Sequence, residues 1–551
     1  MQNEPKREAP KTKNSTKLFF SGVLVLTISN LIIKAIGLLF KIPMNHIVGD
    51  TGMGYYSHAY TIYTCFFMIA TNGLPVALAM MLSDSRSKGQ IKQSKRIFRI
   101  ALLLFVIVGF LGTAIMMLGA RPYSRYVLNA ESTTYCILAI APTLFFISVS
   151  SAFRGYFQGY QQMLPTAVSQ LTEALCKLFV GIVLAQYALR QGYAIHIVAA
   201  YAAIGLTIGA GLGMIFLTIS KLLFNESKYN AEFLAVAGES EYTESTRTIL
   251  KRIALIAIPI TISSSVMSIT NLLDAVLVER ILQTIGMTEE AATTVYGNYT
   301  SLAVPMFNMP PYLIYPISYS IIPILTMARG SGDHARANRI MESSMRVAVL
   351  IGLPCALGMA AMSEPILAMF YKRESVEMAW SLLSLLAPST FFVCMLSVTN
   401  AILQSCGYER KPLYSMLAGA AVKLLSNYIL LHVIGMYGTP ISTFLCYLTA
   451  TGMNLYYVAK KVGVMPSPGR LFVKPLAASI LCAASALASY WLLGLIGLHG
   501  RAATLAAILC AMVVYLLLIL ALRAITPDDV RLLPKGEKIF RLLAKLKLMK
   551  E

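Results

Sequence analysis

The feature that most constrains this chain is its series of apolar runs, each about as long as the 20 residues a helix needs to cross a bilayer core, separated by short polar loops. Fourteen spans are expected, near residues 18–43, 56–82, 97–119, 134–153, 164–187, 194–220, 250–279, 294–327, 341–362, 379–403, 412–434, 438–459, 471–495 and 503–524. Only 13% of the 551 residues are charged, against about 25% in an ordinary soluble domain. The expected fold is therefore all-α and integral to a membrane, with about 14 transmembrane helices. No inter-span segment is long enough to hold a soluble active site. The longest, 221–249, falls midway and carries the polar run NESKYNAEF and the acidic run GESEYTEST.

The net charge of +21 raises the question of a nucleic-acid partner, but the positions of the charges argue against one. Lys and Arg cluster before the first span, after the second (Arg86, Lys88, Lys92, Lys95, Arg96), after the eighth and twelfth, and in the C-terminal tail. The alternate loops hold far fewer. This is the asymmetry of cytoplasmic loops, and an even span count puts both termini in the cytoplasm. The nine cysteines stand singly, without the spacing of a zinc or redox site. No short apolar core with a small-residue cleavage site follows the basic N-terminus, so no cleaved leader is expected.

The chain also repeats itself. Ala141-Pro142, Phe145-Phe146, Gln158 and Lys177 recur as Ala387-Pro388, Phe391-Phe392, Gln404 and Lys423, at a shift of 246 residues. ISNLI (28–32) recurs as ITNLL (269–273), and Pro75 pairs with Pro316, both at a shift of 241. Spans 1–6 are thus expected to repeat as spans 7–12 in the same orientation, a plan found among transporters. The expected organisation is a basic tail (1–17), an N-lobe (18–220), a cytoplasmic linker (221–249), a C-lobe (250–460), two further helices (461–524) and a second basic tail (525–551).

No phosphate-binding loop, HExxH motif or nucleophile elbow is present, so the chain reads as a non-enzyme without cofactor or metal. Its informative residues are charges at membrane depth. A Lys or Asp at a helix centre costs about 2.5–3.5 kcal/mol on insertion scales and is normally turned toward protein or a water-filled cavity. Lys34 lies past the middle of span 1, Lys177 and Lys423 lie near mid-depth in spans 5 and 11, and Asp274 lies in the outer part of span 7. Lys41 is expected to snorkel to the outer interface. Glu173 and Lys177 are four residues apart with the acid first, the favourable order for an intrahelical pair. Lys423 has Gly419 at the corresponding acid position and so lacks that partner. For Lys34 and Lys423 three readings are open: an anion facing them, a pair with an unseen carboxylate, and snorkelling to the interface. Arg154 closes span 4, where a loop charge and a contact to an anionic headgroup are alternatives. Asn30 and Asn271 are repeat partners that could line a cavity or bond across helices. Gly205, Gly209 and Gly213 form a double GxxxG, a packing motif. Span 8, with five prolines, should bend or break and is the candidate for a moving element.

The segment RGYFQGYQQMLPTAVSQ (154–170), KAIGLLFKIPMNHIVG (34–49) and the 6+6+2 plan resemble the MOP exporter superfamily, in its polysaccharide-transport and lipid II flippase branch. The resemblance covers essentially the whole chain. It implies two six-helix lobes around a cationic cavity, alternating access, and a bacterial cytoplasmic-membrane location. The implied substrate is an undecaprenyl-diphosphate-linked saccharide, in first place lipid II, moved to the outer leaflet. Partners would be that polyprenyl-diphosphate-linked sugar, membrane lipid and a coupling ion, with no nucleic acid. Lys34 matches the basic span-1 residue of such proteins. Phe40 and Lys41 stand where better-known members carry an Arg-Asp pair, and Phe67 and Met68 replace a basic pair. The substrate-binding set expected is Lys34, Arg154, Glu173, Lys177, Asp274, Lys423, Asn30 and Asn271. The rival from the same superfamily is a MATE-like exporter of organic cations, which would use the buried carboxylates. A scramblase or scaffold without coupled transport would tolerate loss of every lysine.

Overall fold

The computed structural model describes residues 13–227, 229–230, 240–330, 333–463, 469–522 and 524–525. Most of the two expected tails lies outside these residues, as does the middle of the linker. Among the described residues the chain is helical, with no strand. Ten helices are long and apolar enough to cross a membrane, or twelve if two bent pairs each count as one. The expected fourteen would require two of these stretches to cross twice. In Ser29–Ser87 the helix is broken at Gly49, whose φ of 68° no β-carbon-bearing residue adopts cheaply. In Arg410–Val462 a short 3-10 turn at Gly435–Tyr437 separates two helices.

The chain forms two compact units, Met1–Leu272 and Leu273–Glu551. In the first, helix α1 (Lys13–Met68) runs through the Gly49 kink into a π-turn at Ile69–Gly73 and then α2 (Leu74–Ser87). Helices α3 (Ile91–Pro122), α4 (Thr134–Ile140), α5 (Thr143–Gly159), α6 (Leu164–Arg190) and α7 (Ile195–Leu223) follow. Helix α8 (Thr246–Thr284) carries the chain across the unit boundary. The elements of the second unit used below are α9 (Val304–Gly330), α10 (Ser389–Ser405), α11 (Arg410–Ile434) and α12 (Gly438–Tyr457).

The repeat is legible in the helix boundaries. Helices α5 and α10 start and stop at the same shift of 246 residues, and α6 and α11 begin at that shift too. Both α5 and α10 end in the same way. Gln162 N–H donates to Phe157 O at 2.8 Å, and Tyr408 N–H donates to Leu403 O at 2.9 Å. Each bond closes over a left-handed residue, Gln161 (φ 58°) in one and Gly407 (φ 83°) in the other, the usual αL helix stop. The pairing of Pro75 with Pro316 has a different outcome. Pro75 and Pro305 both stand second in a helix that follows a five-residue π-turn, so Pro305 is the local counterpart of Pro75. Span 8, expected to bend or break, runs as one helical stretch, Glu289–Arg329, which passes through that turn, Tyr299–Ala303, and on through Pro310, Pro311 and Pro316.

The double GxxxG lets α7 lie directly on α6. A β-carbon on Gly205 would fall 2.4 Å from the Gly181 backbone, one on Gly209 2.8 Å from Glu173 O, and one on Gly213 2.9 Å from Glu173 Oε1. Small residues therefore hold the helix that carries Glu173. Gly205→Leu should destabilise the protein by about 1–3 kcal/mol, because backbone cannot move aside as a side chain could. Thermal unfolding of purified protein in detergent measures it; an unchanged midpoint would contradict this packing.

Candidate functional site

In the first unit the charges at depth separate into two groups. Arg154, one turn before the end of α5, is only 6% exposed. Its Nη2 donates to Glu173 Oε1 at 2.5 Å, and its Nε donates to Ser169 Oγ at 3.2 Å. Two expectations change here. Glu173 is neutralised by Arg154 on the neighbouring helix, not by Lys177 one turn along its own. Arg154 is a buried ion-pair partner and not a loop charge. The planar guanidinium matches a carboxylate better than an ammonium does, and Ser169 fixes its other face.

Lys177 is directed elsewhere. Its Nζ lies 4.6 Å from the ring centre of Tyr60, 4.8 Å from that of Phe40 and 5.6 Å from that of Tyr56. The rings belong to a row along α1: Tyr56 stacks on Tyr60 at 5.9 Å, Tyr60 meets Tyr63 at 5.6 Å, and Tyr63 meets Phe67 at 5.7 Å. The electron-rich faces hold the cation by about 0.5–2 kcal/mol, which softens its burial without cancelling its charge. Among the described residues Lys177 has no carboxylate partner. Lys41, expected to snorkel to the outer interface, is half-buried on α1. Sequence reasoning missed this aromatic wall. The spacing 56, 60, 63, 67 is one helix face, and that was the available signal.

Asn30 and Lys34, four residues apart on α1, are both exposed on the first unit, and so is Asn271 on α8. In the second unit Lys423 is 4% exposed, and its Nζ lies 3.0 Å from Asp274 Oδ2. Asn427, fully buried one turn further along α11, donates to the other oxygen of Asp274. Lys423 is thus a paired cation: of its open readings, the pair with an unseen carboxylate is the one the geometry shows, and Lys423 is not an unpartnered charge facing an anion. The carboxylate that Gly419 cannot supply comes from α8, at a position where the first half has Ile33. The equivalent lysines of the two halves therefore have opposite surroundings: carboxylate and amide around Lys423, aromatic rings around Lys177.

A buried pair broken on one side leaves an uncompensated charge at a cost of about 3–5 kcal/mol, whereas removing both partners costs much less. Lys423→Ala should therefore lower the unfolding midpoint sharply, and Lys423→Ala with Asp274→Ala should recover most of it. Equal stability of the single variant and the wild type, by thermal unfolding, would contradict the pairing.

The family model described as "Polysaccharide biosynthesis protein" matches residues 19–329, more than half of the chain, and the model described as "MatE" matches 259–429. The chain is 25% identical over 530 residues to the uncharacterized membrane protein YabM of Bacillus subtilis (strain 168), covering 95% of this chain and 96% of that one. It is 25% identical over 468 residues to the lipid II flippase MurJ of the same organism, covering 82% and 84%. Among solved structures, "Lipid II flippase MurJ, inward closed conformation" has the same fold, with a TM-score of 0.67 at 14% identity over 90% of this chain and 98% of that one. The relative and the solved structure named for an activity are flippases and not enzymes. With its multi-pass helical architecture, the chain belongs to the polysaccharide biosynthesis protein family, within the polysaccharide-transporter and MurJ-like branch of the MOP exporter superfamily.

Proposed function

We propose that this protein flips a polyprenyl-diphosphate-linked saccharide, with lipid II the first candidate, from the cytoplasmic to the outer leaflet of a bacterial cell membrane, with both termini cytoplasmic. The observation that carries this reading is Lys177, an ammonium at membrane depth held by rings and not by an acid. A charge in that place costs about 2.5–3.5 kcal/mol and contributes nothing to packing that a neutral residue could not. Its retention fits an anionic ligand. A diphosphate offers several acceptor oxygens to the three donors of a lysine, and the low dielectric strengthens the attraction. Lys34, exposed on α1 beside Asn30, is the second residue assigned to the phosphates. Arg154 and Glu173 hold α5 to α6 near Lys177. Asp274, Lys423 and Asn427 act as an internal tie, and Asn271 is assigned to the saccharide. The relative named for lipid II flipping supports the substrate class.

The MatE match over 259–429 makes export of an organic cation the second reading. The acid such a cation would need, Asp274, is already bonded to Lys423 and Asn427, and Lys177 would repel it. Anionic cargo is favoured on both counts.

Reconstituted in vesicles with a fluorescent lipid-linked saccharide, the wild type should expose the label to an impermeant quencher. Lys177→Ala and Lys34→Ala should each slow this by about tenfold or more, the value of one lost charge-assisted hydrogen bond, with unfolding midpoints unchanged. Normal flipping by both variants would remove the site assignment. Transport of an organic cation with no flipping of any polyprenyl diphosphate would favour the exporter.

A further inference from the structure

The segment RGYFQGY is the most distinctive stretch of the chain, and the ion pair of Arg154 accounts for only its first residue. The remainder meets the described residues of the linker at one end of the first unit. Tyr156 Oη donates to Glu226 Oε1 at 2.7 Å, and Lys221 pairs with the same oxygen. Lys95 lies 3.7 Å from Oε2. Phe224 packs edge-on against Phe157 and Tyr160 and stacks on Tyr229. Burial works against the charge of Glu226, but the hydrogen bonds from Lys221 and Tyr156 and the nearby lysines hold its carboxyl below the usual range.

Arg86, at the end of α2 and 3% exposed, ties these pieces together. It donates to Asn230 Oδ1 at 2.9 Å and to Tyr229 O at 2.8 Å on the linker, and to Gly159 O at 3.0 Å on α5. Its guanidinium lies 3.8 Å over the Tyr160 ring. Further on, Glu244 N–H donates to Gln93 Oε1 at 2.9 Å and Ser240 N–H donates to Gly89 O at 3.2 Å. Arg252 reaches Glu244 at 2.6 Å and Asp84 at 3.4 Å, and Lys92 pairs with Glu241. This is far more bonding than a spacer needs.

Helix α5 joins this surface to the interior. Gly155 and Gly159 face α2 so closely that a β-carbon would fall 2.8 Å from Pro75 O and 2.9 Å from Leu82 Cβ. Contact that tight fixes the register of α5 on α2. Arg154, bonded to Glu173, and Tyr156, bonded to Glu226, are two residues apart on it. A slide or rotation of α5 that breaks one bond strains the other.

We propose that residues 224–227, 229–230 and 240–245 form a clasp keyed by Arg86, and that its closure is coupled through α5 to the buried Arg154–Glu173 pair. Disturbing the ion pair loosens the clasp, and freeing the clasp loosens the ion pair, as linkage requires. The RGYFQGY motif is then a mechanical joint: arginine inward, glycines against α2, aromatics outward to the linker. This holds whatever the cargo is.

Hydrogen exchange read by mass spectrometry on the full-length protein in detergent tests it. Arg86→Ala and Glu226→Gln should each speed exchange about tenfold or more in peptides spanning 224–230 and 240–245, as local opening no longer has to break those bonds. Glu173→Gln, with no contact to the clasp, should speed the same peptides by about fivefold or more, the lower bound of a usual coupling. Glu377→Gln, in the second unit, should leave them unchanged. Glu226→Gln keeps the test valid if Arg86→Ala does not fold. Unchanged exchange in Glu173→Gln would overturn the coupling, and unchanged exchange in Glu226→Gln and in a folded Arg86→Ala would overturn the clasp.

Discussion

Charge at membrane depth is the constraint on which the rest of this structure depends. With no water nearby, each buried ion must be met by an opposite charge, by oriented dipoles or by a polarisable face. Arg154 and Glu173 meet each other, with Ser169 assisting. Lys423 is met by Asp274, itself held by Asn427. Lys177 is met only by rings among the described residues. The first two solutions are closed circuits that join helices. The third leaves a net positive charge, and the proposal of an anionic cargo rests on that remainder.

The two halves show how a duplicated plan departs from itself. Helices α5 and α10 share boundaries at the 246-residue shift and the same αL ending, with the strain of a left-handed residue relieved by Gly407 in one half and borne by Gln161 in the other. The lysine on the following helix was kept in both. Its neighbours were not: Glu173 became Gly419, and Asp274 stands where the first half has Ile33. Gly419 now presses on the backbone of α12, where a β-carbon would lie 2.7 Å from Cys446 O. An acid there would not fit, so a carboxylate from α8 serves instead.

The all-helical membrane fold was legible because a bilayer admits few alternatives, and the repeat because whole motifs recur. The number of crossings was less legible. Apolar length alone does not divide a helix, and one divider, Gly49, acts through its φ angle, which hydropathy does not register. The candidate residues were found by depth, but their partners were not. Depth says which charges are buried, and helix rotation says which ones meet. Glu173 and Lys177 share a nominal face, yet the longer fork of Arg154 takes the acid and the aromatic face of α1 takes the lysine. Likewise the RGYFQGY motif was visible as a signature, while its ties to the linker depend on Arg86, some 70 residues earlier.

The central claim is that an uncompensated lysine selects a phosphate-bearing lipid. It is tested most directly by the binding of purified protein to a polyprenyl-diphosphate-linked saccharide, beside its monophosphate carrier and a cationic dye. Preference for the diphosphate, lost in Lys177→Ala while the protein stays folded, is the result this account requires. Preference for the dye, or diphosphate binding indifferent to Lys177, would contradict it.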